Sequence, residues 1–500
     1  GEQRSPRREE NGMHSAEKEA RRQPASSGTI TTLLSLAGLV AALQTTLVIP
    51  LLPDFPELLD VSAGDATWLV TMTLLTGAVA TPIVSRLADM FGKRRMMVLA
   101  LSMMVVGSLI AALGGSFLAV LIGRALQGFS SALIPVAMAV LRDVLPREKV
   151  AGAVALTSAT MGIGGALGLP TAGVLYDSFG WSSVFWVSAA AGCLLLLGIL
   201  LVVPASATGT RGRFDIVGAV LLSVALTALL LGISKGPAWG WSSPQTVASL
   251  VVAVLVLAVW VPYELRVPAP MVDLRVSMRR TVLLTNIAGL FVGFAAYANT
   301  LSTTQQLQLP EITGFGFGLS AAVAGLCMVP GGIAMLLFSP LSARVASRFG
   351  GRATLITATL VMTASYAFRI AFDDTVVLII VGAVFVSIGN AMAYATMPAL
   401  IMAAVPLTET AAANGLNSLL RTIGASSMSA VVAALLTGLT VELGGRSFPA
   451  HGAIVAMFAI AGAATFLATL AAMFLPKQRP AQPSPVGPAT TTAVTAPAGS

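Results

Sequence analysis

Long apolar stretches separated by short polar segments fill the chain from about residue 30 to residue 475. A hydrocarbon core about 30 Å thick takes roughly 20 residues of α-helix to cross, because each residue adds about 1.5 Å. Fourteen stretches meet this requirement, at approximately residues 30–52, 66–88, 96–115, 117–140, 151–173, 183–203, 214–234, 246–265, 281–305, 318–341, 353–371, 375–399, 409–437 and 450–475. The pattern therefore predicts fourteen membrane-spanning helices.

The composition supports this prediction. Only 10% of the 500 residues are charged and 56% are hydrophobic, whereas a typical soluble domain carries about 25% charged residues. A chain of this length has too few charges to cover a water-facing surface, which excludes a soluble enzyme, a disordered chain and a coiled coil. The sequence indicates an all-α polytopic membrane protein.

Basic residues are distributed unevenly among the segments between spans. Most of the 29 Lys and Arg residues fall in every second segment, and both ends of the chain belong to that set. Because basic residues beside a span resist translocation, both termini are predicted to be cytoplasmic. Lys235 and Arg446 are assigned to the opposite side, and three arginines, Arg124, Arg369 and Arg421, lie within spans. The net charge of +8 thus follows membrane orientation and does not indicate nucleic-acid binding.

The two ends of the chain and the reactive residues carry little further signal. Residues 1–28 are polar and lack the apolar core of a signal peptide, and residues 477–500 are rich in Pro, Ala and Thr, so both are predicted to be disordered cytoplasmic tails. Two cysteines and two widely separated histidines give no disulfide framework or metal cluster. Because P-loop, His-Glu-x-x-His and Gly-x-Ser-x-Gly patterns are also missing, we expect no enzyme activity, catalytic residue, metal or cofactor.

A short internal repeat divides the chain. The segment SRLADMFGKR at residues 85–94 recurs as ARVASRFGGR at residues 343–352, each time between two predicted helices. Repeats this far apart are typical of transporters in which one bundle rocks against another. We predict two six-helix bundles, residues 29–203 and 281–476, joined by residues 204–280, which hold two additional central transmembrane helices.

The first copy of the repeat carries a family resemblance. The loop at residues 85–95 is similar to motif A of the major facilitator superfamily, and residues 30–475 resemble its fourteen-helix drug:proton antiporter subfamily. A glycine permits a tight turn, and the aspartate can pair with arginine or face a helix N-terminus. The resemblance implies a conformational switch, formed by Asp89, Gly92, Lys93, Arg94 and Arg95. In the second copy, Ser347 replaces the aspartate.

Two further motifs lie in the fourth and fifth predicted helices. Residues 121–128 are similar to motif B, which implies a role in proton handling or substrate contact for Arg124 and Gln127; the alternative is an arginine held structurally by backbone carbonyls. Residues 162–173 resemble motif C, which is typical of antiporters. The alternative is that these small residues only allow close helix packing. The candidate motif C residues are Gly164, Gly168, Pro170 and Gly173, with Pro170 one position later than the proline of the motif. Residues 213–218 and 264–273 resemble the segments around the two central helices of the subfamily.

The first helix departs from the subfamily pattern. Gln44 stands where the subfamily has an aspartate, and glutamine cannot carry charge. No acid lies well inside a predicted span, so a cavity holding Arg124 and Arg421 would repel organic cations and accept neutral or anionic amphiphiles. The candidate substrate-cavity residues are Gln44, Thr46, Asn299, Gln305, Asn390, Tyr394, Asn417 and Arg421. Asp54 and Glu311, near the outer end, are the candidate protonation sites.

These observations predict a transporter of the bacterial plasma membrane that exports hydrophobic or amphiphilic small molecules in exchange for protons. Its partners would be the substrate, protons and the bilayer, without nucleic acid, and we expect a monomer. The alternative is an uncoupled or differently coupled carrier of a lipid or metabolite, because Gln44 replaces the acid. Two other classes are disfavoured. A transporter-like receptor would be expected to carry a sizeable soluble domain, which neither predicted tail provides. A membrane-embedded enzyme would need a nucleophile or base, and none is visible in the sequence.

Overall fold

The computed structural model describes residues 26–52, 54–204, 213–443 and 446–476. These residues are almost wholly helical, with fourteen long helices: α1 Ser27–Thr46, α2 Trp68–Phe91, α3 Lys93–Leu113, α4 Phe117–Val144, α5 Arg147–Phe179, α6 Ser183–Val202, α7 Ile216–Trp239, α8 Pro244–Glu264, α9 Arg280–Gln308, α10 Ala321–Phe349, α11 Gly351–Ala371, α12 Val376–Ala404, α13 Thr410–Gly438 and α14 His451–Met473. The predicted tails lie almost wholly outside the described residues.

The helices match the predicted membrane-spanning architecture. Thirteen are long and apolar enough to cross a membrane, and α5, bent by 47° between Arg147–Gly165 and Pro170–Phe179, makes fourteen if its two parts form one span. The predicted fold class is confirmed, although the helix bounds differ. α10 continues eight residues past its predicted end at residue 341, because hydropathy marks the membrane-embedded part of a helix while the helix itself extends into polar sequence. α1 ends at Thr46, before a 3-10 turn, Ile49–Leu51, that contains a proline.

The helices pack around separate cores. One core joins α1, α3, α4 and α6, with Leu34, Leu101 and Val136 among its members. A second joins α9, α11, α12 and α14, where Met362 and Phe458 are fully buried. The central pair, α7 and α8, packs through its own cluster against α2 and α13. This is the arrangement of two six-helix bundles with two additional central helices.

Short elements connect the long helices. Four-residue helices, Phe55–Leu58 and Ala63–Ala66, lie between α1 and α2, and Leu274–Ser277 precedes α9. Between α13 and α14, strands β1 Thr440–Leu443 and β2 Arg446–Pro449 pair in antiparallel fashion. The sequence did not predict this hairpin, because four residues are too few to show the alternation of a strand.

Candidate functional site

The motif A aspartate joins the two halves of the molecule. Asp89 lies near the end of α2, and its carboxylate accepts hydrogen bonds from the backbone N–H groups of Ala411, at 3.3 Å, and Ala412, at 2.8 Å. These N–H groups belong to the first turn of α13, where the helix dipole favours a negative charge. Gly92, with φ of 104°, ends α2 and lets α3 begin at once. Of the two partners considered for Asp89, the structure gives it the helix N-terminus.

Other contacts join the two halves at the same end of the molecule. We call it the basic end, because it carries the motif A residues Lys93, Arg94 and Arg95. Arg142 of α4 donates hydrogen bonds to Thr410 Oγ1, at 2.6 Å, and to the carbonyl of Val405, at 3.1 Å. The Ser339 hydroxyl of α10 donates to the carbonyl of Ala155 in α5. The N-terminal and C-terminal halves are therefore hydrogen-bonded directly to each other at the basic end.

The basic residues of motif A serve different contacts within the N-terminal half. Lys93 forms a 2.5 Å ion pair with Asp143 of α4. The Arg94 guanidinium donates to the carbonyl of Leu200 in α6, and Arg95 is exposed. These contacts fix α3 against α4 and α6, whereas Asp89 alone among the predicted switch residues reaches the other half.

Two adjoining cavities of ≈ 320 and ≈ 460 Å³ lie between the halves, and we refer to them together as the central cavity. Both are lined by Leu74, Met161, Tyr297, Tyr394 and Thr422. Five of the predicted cavity residues lie on the walls: Thr46, Asn299, Asn390, Tyr394 and Arg421. The cavity is thus bounded by α1, α2, α4 and α5 on one side, by α9, α10, α12 and α13 on the other, and by α7 of the central pair.

Two cationic side chains give the central cavity its charge. Arg421 is 6% exposed, stacks 4.4 Å from the ring centre of Tyr394, and its Nε and Nη1 atoms have no hydrogen-bond partner. Lys235 of α7 lies 4.3 Å from the Trp68 ring and donates to Thr67 Oγ1 at 2.6 Å. Among the described residues that line the cavity, none is an aspartate or a glutamate.

The structure corrects the predicted position of Lys235. The charge pattern predicts a loop position for it on the side opposite the termini, but α7 continues to Trp239 and buries the lysine, which is 5% exposed. α7 stays helical through Gly236 and Pro237 as far as Trp239, so Lys235 lies on the helix and not in a loop. The nearby tryptophans, which are frequent at membrane interfaces, were the available signal.

Arg124 of motif B lies in a buried network and does not line the central cavity. Its guanidinium donates to the carbonyls of Leu69, at 2.9 Å, and Gln44, at 3.3 Å, and to Gln127 Oε1 at 2.9 Å. Gln127 in turn donates to Ser108 Oγ at 2.8 Å. The arginine therefore joins α4 to α1 and α2 through uncharged acceptors, which is the structural alternative that the sequence left open.

Several predicted site residues lie away from the central cavity. Gln44 does not line the cavity, because its helix turns Thr45 and Thr46 toward it instead. The Gln44 side-chain amide is buried without a hydrogen-bond partner. Asn417 donates to Asn286 Oδ1 at 3.0 Å within the C-terminal half. The remaining three lie near helix ends, where Gln305 and Glu311 are exposed and Asp54 is half-buried.

Arg369 of α11, which the sequence places within a span without a site role, is also fully buried. It donates to Asn299 Oδ1, at 2.6 Å, and Thr303 Oγ1, at 2.8 Å, and lies 4.0 Å from the Phe458 ring centre. Asn299 lines the central cavity, so Arg369 fixes a cavity residue from behind. Its position inside an apolar span was the signal for a specific role.

The motif C glycines allow α5 to approach α1 closely. A Cβ atom on Gly164 would lie 2.4 Å from the carbonyl oxygen of Leu39, and one on Gly168 would lie 1.8 Å from Thr46 Oγ1. Pro170 begins the second part of the bent helix. Gly173, by contrast, has open space around it. Close packing therefore explains two of the three glycines.

Comparison with known proteins places this architecture in a family. The profile of the Major Facilitator Superfamily matches residues 34–425 and, in a second match, residues 287–498. Multidrug resistance protein Stp of Mycobacterium tuberculosis (strain CDC 1551 / Oshkosh) is 31% identical over 389 residues, which cover 77% of this chain and 71% of Stp. The tetracenomycin C resistance and export protein of Streptomyces glaucescens is 31% identical over 340 residues, which cover 67% and 62% of the two chains.

A solved structure agrees with this placement. The crystal structure of the human organic anion transporter MFSD10 aligns with a TM-score of 0.62 over 90% of this chain and 100% of that one, at 16% sequence identity. The similarity at this low identity concerns the fold. The chain belongs to the major facilitator superfamily, as its motifs indicated. It is a multi-pass membrane transport protein.

Proposed function

We propose that this protein exports hydrophobic or amphiphilic small molecules, neutral or anionic, across a bacterial plasma membrane in exchange for protons. The charge of the central cavity supports this substrate class. Arg421 and Lys235 lie on its walls, and none of the described lining residues is an aspartate or a glutamate. A buried organic cation would lose its hydration there without a compensating charge. The names of the relatives, which include multidrug resistance and tetracenomycin export, support export of such compounds.

Alternating access would use the contacts at the basic end. In the proposed cycle, the bundles at residues 29–203 and 281–476 rock about the central cavity, and the bonds of Asp89 and Arg142 to the C-terminal half break when the basic end opens. If both termini are cytoplasmic, as the positive-inside pattern favours, the arrangement described here is closed to the cytoplasm. The proton gradient would supply the energy without a cofactor, and the unit would be a monomer.

Transport by purified protein in liposomes tests this proposal. An imposed pH gradient should drive uptake or release of anionic and neutral amphiphiles, while a cationic amphiphile of similar shape should move poorly. Arg421→Gln should weaken transport of the anion about tenfold or more, since one charge-assisted hydrogen bond contributes about 1.5–3 kcal/mol, and should change transport of the neutral compound less. Equal losses for both compounds, or preferred transport of the cation, would overturn the substrate class.

The alternative is a carrier that moves its substrate without protons. It is favoured by Gln44, which replaces the subfamily acid, and by the position of Asp54 and Glu311, neither of which is among the residues that line the central cavity. Transport that continues at the same rate after a protonophore collapses the gradient would establish this alternative. If proton coupling is present, Asp54→Asn combined with Glu311→Gln tests whether either acid carries it.

A further inference from the structure

Two buried carboxyl groups meet in the central helix pair, away from the central cavity. Asp215 precedes α7 and caps it, because its Oδ1 atom accepts the Gly218 N–H at 2.9 Å. Glu264 is the last residue of α8, and its Oε1 atom accepts the Val272 N–H at 2.6 Å. Their side chains are 9% and 2% exposed. Each carboxyl group thus has one oxygen held by a backbone donor.

The other two oxygens face each other. Asp215 Oδ2 and Glu264 Oε2 are buried without a donor. A Cβ atom on Gly218 would lie 2.2 Å from Asp215 Oδ2 and 2.7 Å from Glu264 Oε2, so both oxygens point at the same small space above this glycine. Neither oxygen has a hydrogen-bond partner among the described residues, so each is available to the other. A hydrogen bond between two carboxyl groups requires a proton on one of them.

The hydrogen bonds of this pair involve no basic side chain among the described residues, and Arg213 and Arg266, each two residues from one of the acids, are exposed. Trp260 Nε1 donates to the carbonyl of Gly218, and the Tyr263 hydroxyl donates to Asp215 Oδ1 at 2.9 Å. The residues of α2 and α13 packed against the central pair are apolar, among them Leu75, Ile83, Leu416 and Leu419. Among the described residues, no basic side chain forms an ion pair with either carboxyl group.

Nearby charged groups are engaged elsewhere. The Arg275 guanidinium donates to the carbonyl of Leu265, and Asp273 caps the short helix Leu274–Ser277. Glu409, beyond them, interacts electrostatically with Arg86, Arg279 and Asp273. Two buried carboxylates whose free oxygens both lie beside Gly218 would repel each other strongly. A single shared proton removes one charge and gives both free oxygens a partner.

We infer that Asp215 and Glu264 form a proton-binding site in which one proton lies between Asp215 Oδ2 and Glu264 Oε2. The site secures the segment at residues 265–273, which leads from the central pair to the C-terminal half, because Glu264 also holds the Val272 N–H. Loss of the proton separates the carboxylates and loosens this segment. The ligand is a proton, and the site is distinct from the cavity that would bind the transported molecule.

Infrared difference spectroscopy of the full-length protein across a pH titration tests the inference. The wild type should show the C=O stretching band of a protonated carboxyl group that disappears as the pH rises, and Glu264→Gln should lose this band. Asp273→Asn is the matched control, since it removes a half-buried acid from the same segment and asparagine still caps a helix. If Glu264→Gln leaves the titrating band unchanged, the site does not hold the proton.

Hydrogen exchange of residues 267–273 gives a second readout. After correction for the intrinsic effect of pH on exchange, protection in the wild type should fall as the pair loses its proton, while Glu264→Gln, which presents a permanent donor to Asp215, should be protected at every pH. Gly218→Ala keeps both acids but places a methyl group between them, and should abolish the titrating band and the protection. Protection that is independent of pH in the wild type would overturn the inference. Neither readout needs a transported compound, so the result is independent of the proposed export.

Discussion

Replacing the motif A aspartate should shift the balance between closed and open arrangements of the basic end. In Asp89→Asn, the amide oxygen can still accept one N–H of the α13 first turn, but its NH₂ group then faces the second N–H donor. The change removes about 1.5–3 kcal/mol for a hydrogen bond to a charged acceptor, in addition to the attraction between the carboxylate and the helix dipole. Since about 1.4 kcal/mol changes an equilibrium constant tenfold, the closed state should lose at least about tenfold in population relative to the open one.

Electron paramagnetic resonance distances can measure this shift. Spin labels at Glu148→Cys and Arg348→Cys lie on exposed positions of α5 and α10 at the basic end, in a background whose two native cysteines are replaced by serine. The Asp89→Asn distribution should gain a population at longer distance. Asp143→Asn is the control, because its ion pair with Lys93 lies within one half. We call the contact of the Asp89 carboxylate with the α13 N-terminus the Asp89 clasp. A distribution unchanged by Asp89→Asn, or changed equally by the control, would refute its role in holding the basic end closed.

Two further predictions concern stability, measured as the thermal unfolding midpoint in detergent. Gly164→Ala should destabilise the protein by about 1–3 kcal/mol through overpacking against α1, while Gly173→Ala, which meets open space, should be neutral or slightly stabilising. Arg124→Leu should cost about 2–3 kcal/mol because it removes the donor from Gln127 and two carbonyls, and the exposed Arg95→Leu should change stability by less than about 0.5 kcal/mol. Similar midpoints within either pair would contradict the corresponding packing or hydrogen-bond argument.

The sequence predicts the helices well because the bilayer leaves few solutions. A span must satisfy its backbone internally and be about 20 residues long, so hydropathy alone gives the number and order of the helices. It gives the bounds of α10 less well, since the polar last turns of that helix carry no hydropathy signal.

The candidate site is less predictable, because it depends on which faces of distant helices meet. The motif identified Asp89, but its contact with Ala412 joins positions 323 residues apart. Arg124 and Arg421 are equivalent in the sequence, as single arginines inside spans, yet one reaches backbone carbonyls and the other faces the cavity. The pairing of Asp215 with Glu264 likewise follows from the packing of α7 on α8, which the hydropathy pattern does not contain.

The repeat in the second half lacks the aspartate, and this difference bears on speed. Ser347 donates a hydrogen bond to the carbonyl of Arg344 in its own helix and does not reach the N-terminal half. Of the two symmetry-related carboxylate clasps that the repeat could support, only the Asp89 clasp is present. A second clasp would stabilise the closed arrangement further. Each additional ~1.4 kcal/mol of this stabilisation would slow the opening of the basic end about tenfold. If the protein works by the proposed alternating access, this asymmetry between the halves would keep the closed and open arrangements closer in free energy, and the carrier would visit both in each turnover.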